Sequence, residues 1–217
     1  MKFEVLQRQM AARPVFRLQD LHRGRAPAPH EVVQLSHWVR GKRVLRLKKG
    51  LYTLAPAYRT GRPADRSGEL SALTVAEPLY RPSYLSLHWA LSRYGLIPEA
   101  AGVLTSVTTL KTARFQNALG SFNYQHVQPK YYFGFLRQPG YWMAEPEKAL
   151  LDFIYLGIPR AQALTEALFR EGYRLQNLHV VNKKRLQELL ARFKSPRVQQ
   201  GGQILLKLLG RQGGRHD

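Results

Sequence analysis

Along residues 43–54 the chain reads RVLRLKKGLYTL, in which Leu45 and Leu47 alternate with Arg46 and Lys48 at the two-residue period of a strand. Lys49-Gly50 marks a turn, with the glycine free to supply a positive φ, and Tyr52 and Leu54 give a return strand. Upstream, residues 30–40 (HEVVQLSHWVR) place Val32, Leu35, Trp38 and Val39 on one face at helical spacing, with Gly41 as the C-cap. Residues 3–11 predict a short helix, Val15-Phe16 are β-prone, and residues 18–23 allow one or two helical turns before the Gly/Pro-rich residues 24–29 break the chain. Helix, short helix, turn, helix, hairpin is the order of a winged helix-turn-helix.

The pattern changes after residues 58–70 (YRTGRPADRSGEL), whose Gly, Pro, Ser and charge predict a linker. In residues 83–99, Leu87, Ala90, Leu91 and Tyr94 recur at helical spacing and Gly95 closes the helix. Residues 102–110, 121–127, 130–136 and 140–144 read as strands, being rich in β-branched and aromatic residues with alternation clearest at Phe122, Tyr124 and His126. Residues 145–157 open a helix with Pro146 at its first position, apolar nearly all round and so expected to be buried. Three more helices are expected over 159–171, 182–194 and 198–209, the second capped by Asn182. The fold class is therefore α+β. An N-terminal winged helix-turn-helix (1–60) and a linker (61–78) precede a mixed C-terminal domain (79–210) with a mainly antiparallel sheet and C-terminal helices, then a flexible tail (211–217).

Charge narrows the function. The 217 residues hold 34 Lys and Arg against 14 Asp and Glu, a formal net charge of +20. Residues 1–62 alone carry fourteen Lys and Arg against only Glu4, Asp20 and Glu31, a net +11. An imbalance of this size points to a polyanion. With no apolar run of membrane-spanning length and no apolar leader at the N-terminus, nucleic acid is favoured over a membrane, and a cytoplasmic location is expected. The absence of cysteine excludes disulfide and thiolate chemistry.

In a winged helix the polar residues of the second long helix, His30, Gln34, His37 and Arg40, face away from its apolar stripe toward base edges or phosphates. Lys42, Arg43, Arg46, Lys48 and Lys49 on and beside the hairpin, with Arg17 at the start of the short helix, are candidates for phosphate contact. Two other stretches compete. Residues 115–142 interleave Phe122, Tyr124, Tyr131, Tyr132, Phe133, Phe135 and Tyr141 with Lys130 and Arg137, which fits either a single-strand stacking platform or the packed face of a sheet. Residues 145–153 (EPEKALLDF) gather Glu145, Glu147, Lys148 and Asp152, as a metal-dependent nuclease would. However, no Asp or Glu lies between Glu99 and Glu145 to complete the site, so Asp152 is expected to bond a neighbouring Arg or the backbone. The seven histidines show no zinc spacing, and there is no phosphate-cradling glycine loop or nucleophile-elbow serine. No metal, cofactor or enzymatic activity is expected.

The segment LKKGLYTL (47–54) resembles the wing of the AbiEi family of type IV antitoxins from abortive-infection systems. The strings PLYRPSYLSLHWALSRYGLIPE (78–99), TSVTTLKTARFQNALGSFNYQHVQPKYYFGF (105–135) and AEPEKALLDFIYL (144–156) resemble the later blocks of that family. Residues 26–40 lie outside the matching blocks. The resemblance implies a transcriptional autorepressor whose winged helix binds inverted repeats in its own promoter. It also implies a C-terminal domain needed to counter a nucleotidyltransferase toxin without a stable complex, in a chain that is a monomer or weak dimer. The competing readings are an RNA-binding regulator using the basic aromatic sheet, a nuclease, and a protein-binding module whose basic face meets an acidic partner.

Overall fold

The computed structural model describes residues 2–10, 13, 15–22, 28–58 and 69–212. They build a mixed α+β fold of two compact units, one within Met1–Arg81 and Arg114–Phe122, the other within Pro82–Ala113 and Asn123–Asp217. Residues 24–27 of the expected chain break (24–29), residues 61–68 of the expected linker (61–78) and the end of the expected tail (213–217) lie outside the described residues.

In the first unit, α1 (Phe3–Met10) buries Phe3, Leu6 and Met10, one helical stripe. Phe16 exchanges both backbone hydrogen bonds with Tyr52, at 2.8 and 2.9 Å. A 3-10 turn, Leu18–His22, follows, where the Asp20 carboxylate accepts the Arg17 N–H at 2.7 Å. Helix α2 (Pro29–Arg40) starts on a proline, whose missing N–H costs nothing in a first turn, and the Glu31 carboxylate reaches back to the Ala28 N–H at 2.8 Å. Leu35 anchors α2 in a core of Phe3, Leu6, Met10, Phe16, Val44 and Leu54, against which Trp38 and Val39 pack. Phe3 meets the rings of Trp38 and Tyr58 edge-on, with centroids 5.6 and 5.2 Å apart.

One local expectation changes here. Val32 does not share the buried face but is 47% exposed, because α2 presents Leu35 and the Trp38 side to the core and leaves Val32 at the margin. Gly41 is the C-cap of α2, as expected, its N–H bonding the His37 carbonyl; its φ is an ordinary −74°, and the left-handed residue is the next one, Lys42, at φ +53°.

The hairpin pairs β1 (Val44–Lys48) with β2 (Leu51–Leu54) around Gly50, whose φ of +74° requires a residue without Cβ strain. A register shift between Arg46 and Lys48 breaks the expected alternation. Val44 and Leu47 are the buried residues of β1 and Leu45 is only half-buried, since a bulge adds a residue and flips the faces beyond it. Helix α3 (Glu69–Leu79) occupies much of the span expected to be linker, with Ala72, Leu73, Val75, Ala76 and Leu79 buried. The turn-forming composition of 58–70 stops where this apolar run begins.

The larger sheet has the order β5-β6-β4-β3-β8-β7. Its strands are β3 (Ser83–Leu85), β4 (Val103–Thr108), β5 (Ala113–Asn117), β6 (Gly120–His126), β7 (Phe135–Gln138) and β8 (Tyr141–Ala144). β3 runs antiparallel to β4 and parallel to β8, and β7 antiparallel to β8, while the β5–β6 hairpin passes from the second unit into the first. Ser83–Leu85 is thus a central strand ahead of α4 (Leu87–Arg93), where periodicity alone predicts helix. Residues 130–136 divide into a 3-10 turn, Pro129–Tyr131, and the start of β7.

Helix α5 (Pro146–Asp152) is buried along its length and continues as a π-turn, Phe153–Gly157. The helix expected over 159–171 shrinks to a short stretch ending in a π-turn, Leu168–Gly172. In α6 (Lys183–Arg192) the Asn182 side chain accepts the Arg185 N–H at 3.0 Å, the expected cap. α7 (Pro196–Gln212) packs closely through glycine: a Cβ on Gly201 would lie 2.9 Å from Ile154, and one on Gly202 would lie 2.6 Å from Leu190.

Candidate nucleic-acid interface

Burial of Leu35 fixes which side of α2 faces solvent. His30, Val33, His37 and Arg40, spaced three, four and three residues apart, form one exposed stripe. Gln34 does not join it; it is half-buried. The exposed cations continue beyond the helix with Lys42, Arg43, Arg46 and Lys49, and Arg17 is exposed beside the 3-10 turn. Arg43 lies 5.2 Å above the Phe3 ring, so its guanidinium is held by a cation–π contact while the residue remains exposed. Of the acids of this segment, Asp20 and Glu31 each accept a backbone N–H of their own turn, while Glu4 is exposed on α1.

Lys48 is placed differently. Its amino group donates to the Leu79 carbonyl at 2.7 Å, and the rings of Tyr80 and Phe115 lie 5.8 and 5.4 Å from it. The two rings themselves touch, with centroids 5.5 Å apart. Burial, and then the charge of Arg17, lower the Lys48 ammonium below its ordinary pKa. The neighbouring Leu47 carbonyl accepts a bond from the Asn117 carboxamide at 3.4 Å. Lys48 thus ties the hairpin to the end of α3 and to β5, three pieces far apart in sequence, which is why no local pattern announces it. Lys48→Met, which keeps the stem but leaves the Leu79 carbonyl unpaired, is expected to destabilise this unit by about 1–2 kcal/mol in urea unfolding.

The acids that suggested a nuclease are occupied separately. Glu145 is held bidentately by Arg185 at 2.7 and 2.8 Å. Glu147, whose pKa is raised chiefly by burial, accepts the Asn182 N–H at 2.6 Å. Asp152 is wholly buried; it accepts from Tyr84 Oη at 2.9 Å and Ser86 Oγ at 2.8 Å and is ion-paired with Lys148. Its partners are therefore two hydroxyls and a lysine, not the Arg or backbone group expected. Among the described residues, no three His, Asp or Glu side chains are grouped to hold a metal ion. The rings of Phe122, Tyr124, Tyr131 and Phe133 are buried, so these members of the aromatic stretch belong to the core and not to a stacking platform.

A pocket of about 320 Å³ in the second unit is lined by His88, Ile97, Glu99, Thr105 and Asn123, among others. The Glu99 carboxylate is ion-paired with Arg174. His88 meets Phe153 edge-on at 4.8 Å; its surface is exposed, and partial desolvation against that ring lowers its pKa below 6.5, with Glu99 opposing. The unfolded chain therefore binds a proton here more readily than the folded one, and stability rises with pH through the window just under 6.5. His88→Leu should flatten the fall in thermal midpoint of the second unit between pH 7 and pH 5. An unchanged profile would assign that fall to other groups.

No helix of the described residues is long and apolar enough to cross a membrane. Comparison with protein-family models and with curated proteins finds no match.

Proposed function

We propose that the protein is a sequence-specific DNA-binding repressor acting on the DNA upstream of its own coding sequence. In this reading α2 enters the major groove and the β1–β2 hairpin lies as a wing on the phosphate backbone. One observation carries it: the exposed stripe His30, His37 and Arg40 runs on into exposed Lys42, Arg43, Arg46 and Lys49, while Asp20 and Glu31 are folded onto backbone N–H groups. The order of elements supports the same reading. α1, the Phe16–Tyr52 bridge, the 3-10 turn, α2 and the hairpin follow one another as they do in a winged helix.

The resemblance to the AbiEi family extends the proposal to antitoxin activity against a nucleotidyltransferase toxin, with no stable complex and with the second unit required. Co-expression with the product of the adjacent gene tests that extension, since rescue of growth by the full chain is the outcome it requires. The repressor reading is tested by a gel shift on the upstream DNA at two salt concentrations with random duplex as competitor. Specific, salt-sensitive retention supports it. Equal retention of both duplexes means generic charge, and preference for single-stranded RNA would move the assignment to an RNA regulator.

A further inference from the structure

The N-terminal half of α2 exposes apolar side chains where folding asks for polar ones. Val33 is 55% exposed and Val32 is 47% exposed, while the helix is held to its core by Leu35, Trp38 and Val39 on the other side. An exposed valine contributes nothing to that core, and β-branching makes it a poorer helix former than alanine. A single exposed apolar residue is ordinary. Two adjacent ones, set in the first turns of a helix otherwise edged by His30, His37 and Arg40, ask for a surface that is apolar at one point and anionic around it. Duplex DNA offers that combination in the major groove, where the thymine C5-methyl is the one apolar group on the base edges. The N-terminal turns of a recognition helix are the part that reaches those edges. The one acid of α2, Glu31, is turned back onto the Ala28 N–H and does not stand in the way.

We infer that Val33, flanked by Val32, reads thymine methyl groups, so that the operator carries thymine at a defined position under the N-terminal half of α2. His30, His37 and Arg40 hold the helix in register around that contact. This rests on the repressor reading and adds to it a specific base and the residue that selects it.

The experiment is uracil interference on the upstream duplex. Thymines are replaced at random by deoxyuridine, which removes only the methyl group, and bound and free fractions are compared for the wild type and for Val33→Ala at one salt concentration. The wild type is expected to disfavour uracil at one or two positions per half-site by about fourfold each, the value of a buried methyl group. Val33→Ala should lose that discrimination at the same positions while still preferring the upstream duplex to random DNA. Its thermal midpoint should equal or exceed that of the wild type, since alanine favours the helix. If the wild type binds the upstream duplex specifically but ignores uracil everywhere, or if Val33→Ala keeps the full uracil penalty, the inference is wrong and the repressor reading stands. If the wild type shows no specific binding at all, both fall together.

Discussion

Asp152→Ala is expected to remove about 3–5 kcal/mol from the stability of the second unit, because it leaves the buried Lys148 amine without its counter-ion. Domains of this kind are stable by about 5–15 kcal/mol, so the variant should be largely unfolded at modest urea concentrations. The reason is the closure of the site. Lys148 and Asp152 side chains are both 0% exposed, Lys148 also donates to Tyr84 Oη at 2.9 Å, and the rings of Tyr84, Phe133 and Phe193 surround it. Burial lowers the Lys148 pKa and Asp152 pulls it back up, so losing the carboxylate removes what holds the proton there. The Tyr84 phenol, its pKa raised by burial and then by Asp152, stays protonated and loses its acceptor at the same time.

The same logic predicts a rescue. A combined Tyr84→Phe, Ser86→Ala, Lys148→Met, Asp152→Leu variant removes every member of the network and leaves no polar atom of it orphaned. It should recover most of the loss, as replacement of a buried pair by apolar side chains commonly does. Urea unfolding followed by tryptophan fluorescence reads both variants. An Asp152→Ala protein within about 1 kcal/mol of wild type would contradict the structural role given to this cluster. If such a stable variant also lost the antitoxin activity proposed above, Asp152 would become a functional residue.

Much of this architecture was legible because it rests on local signals. Pro146 and Asn182 mark helix starts by the chemistry of their own side chains, Gly50 marks its turn, and Leu35, Trp38 and Val39 mark a buried face by spacing. What escaped rests on partners distant in sequence. Ser83–Leu85 becomes a strand because β4 and β8 flank it, whereas its own residues run without a break into a helical pattern. The bulge after Arg46 undoes an alternation that is real in the sequence, since register depends on the opposing strand. For the same reason Lys48, adjacent to Lys49 and identical to it, could not be told apart from it. Only the ends of α3 and β5 assign one lysine to the fold and leave the other to solvent. In the EPEKALLDF stretch, the chemistry suggested by composition dissolved once each carboxylate was seen to have its own partner.

That distinction between the two lysines sets the second large effect. Arg46→Ala combined with Lys49→Ala is expected to lower the slope of log affinity against log salt by about 1.8, close to 0.9 for each phosphate that is no longer neutralised. Affinity should fall nearly equally for the upstream duplex and for random DNA, since bonds to phosphate position the protein without reading sequence. Both side chains are exposed, so the thermal midpoint of the unit should not move. Lys48→Met is the internal control with the opposite signature, lower stability and an unchanged slope, because its amino group is already committed to the Leu79 carbonyl. The two variants therefore separate a cation that binds from a cation that braces. A slope unchanged by Arg46→Ala with Lys49→Ala would take the hairpin off the phosphate backbone and leave α2 alone as the DNA-facing surface. A slope lowered by Lys48→Met would mean that Lys48 leaves its aromatic site when DNA is bound, exchanging the Leu79 carbonyl for a phosphate.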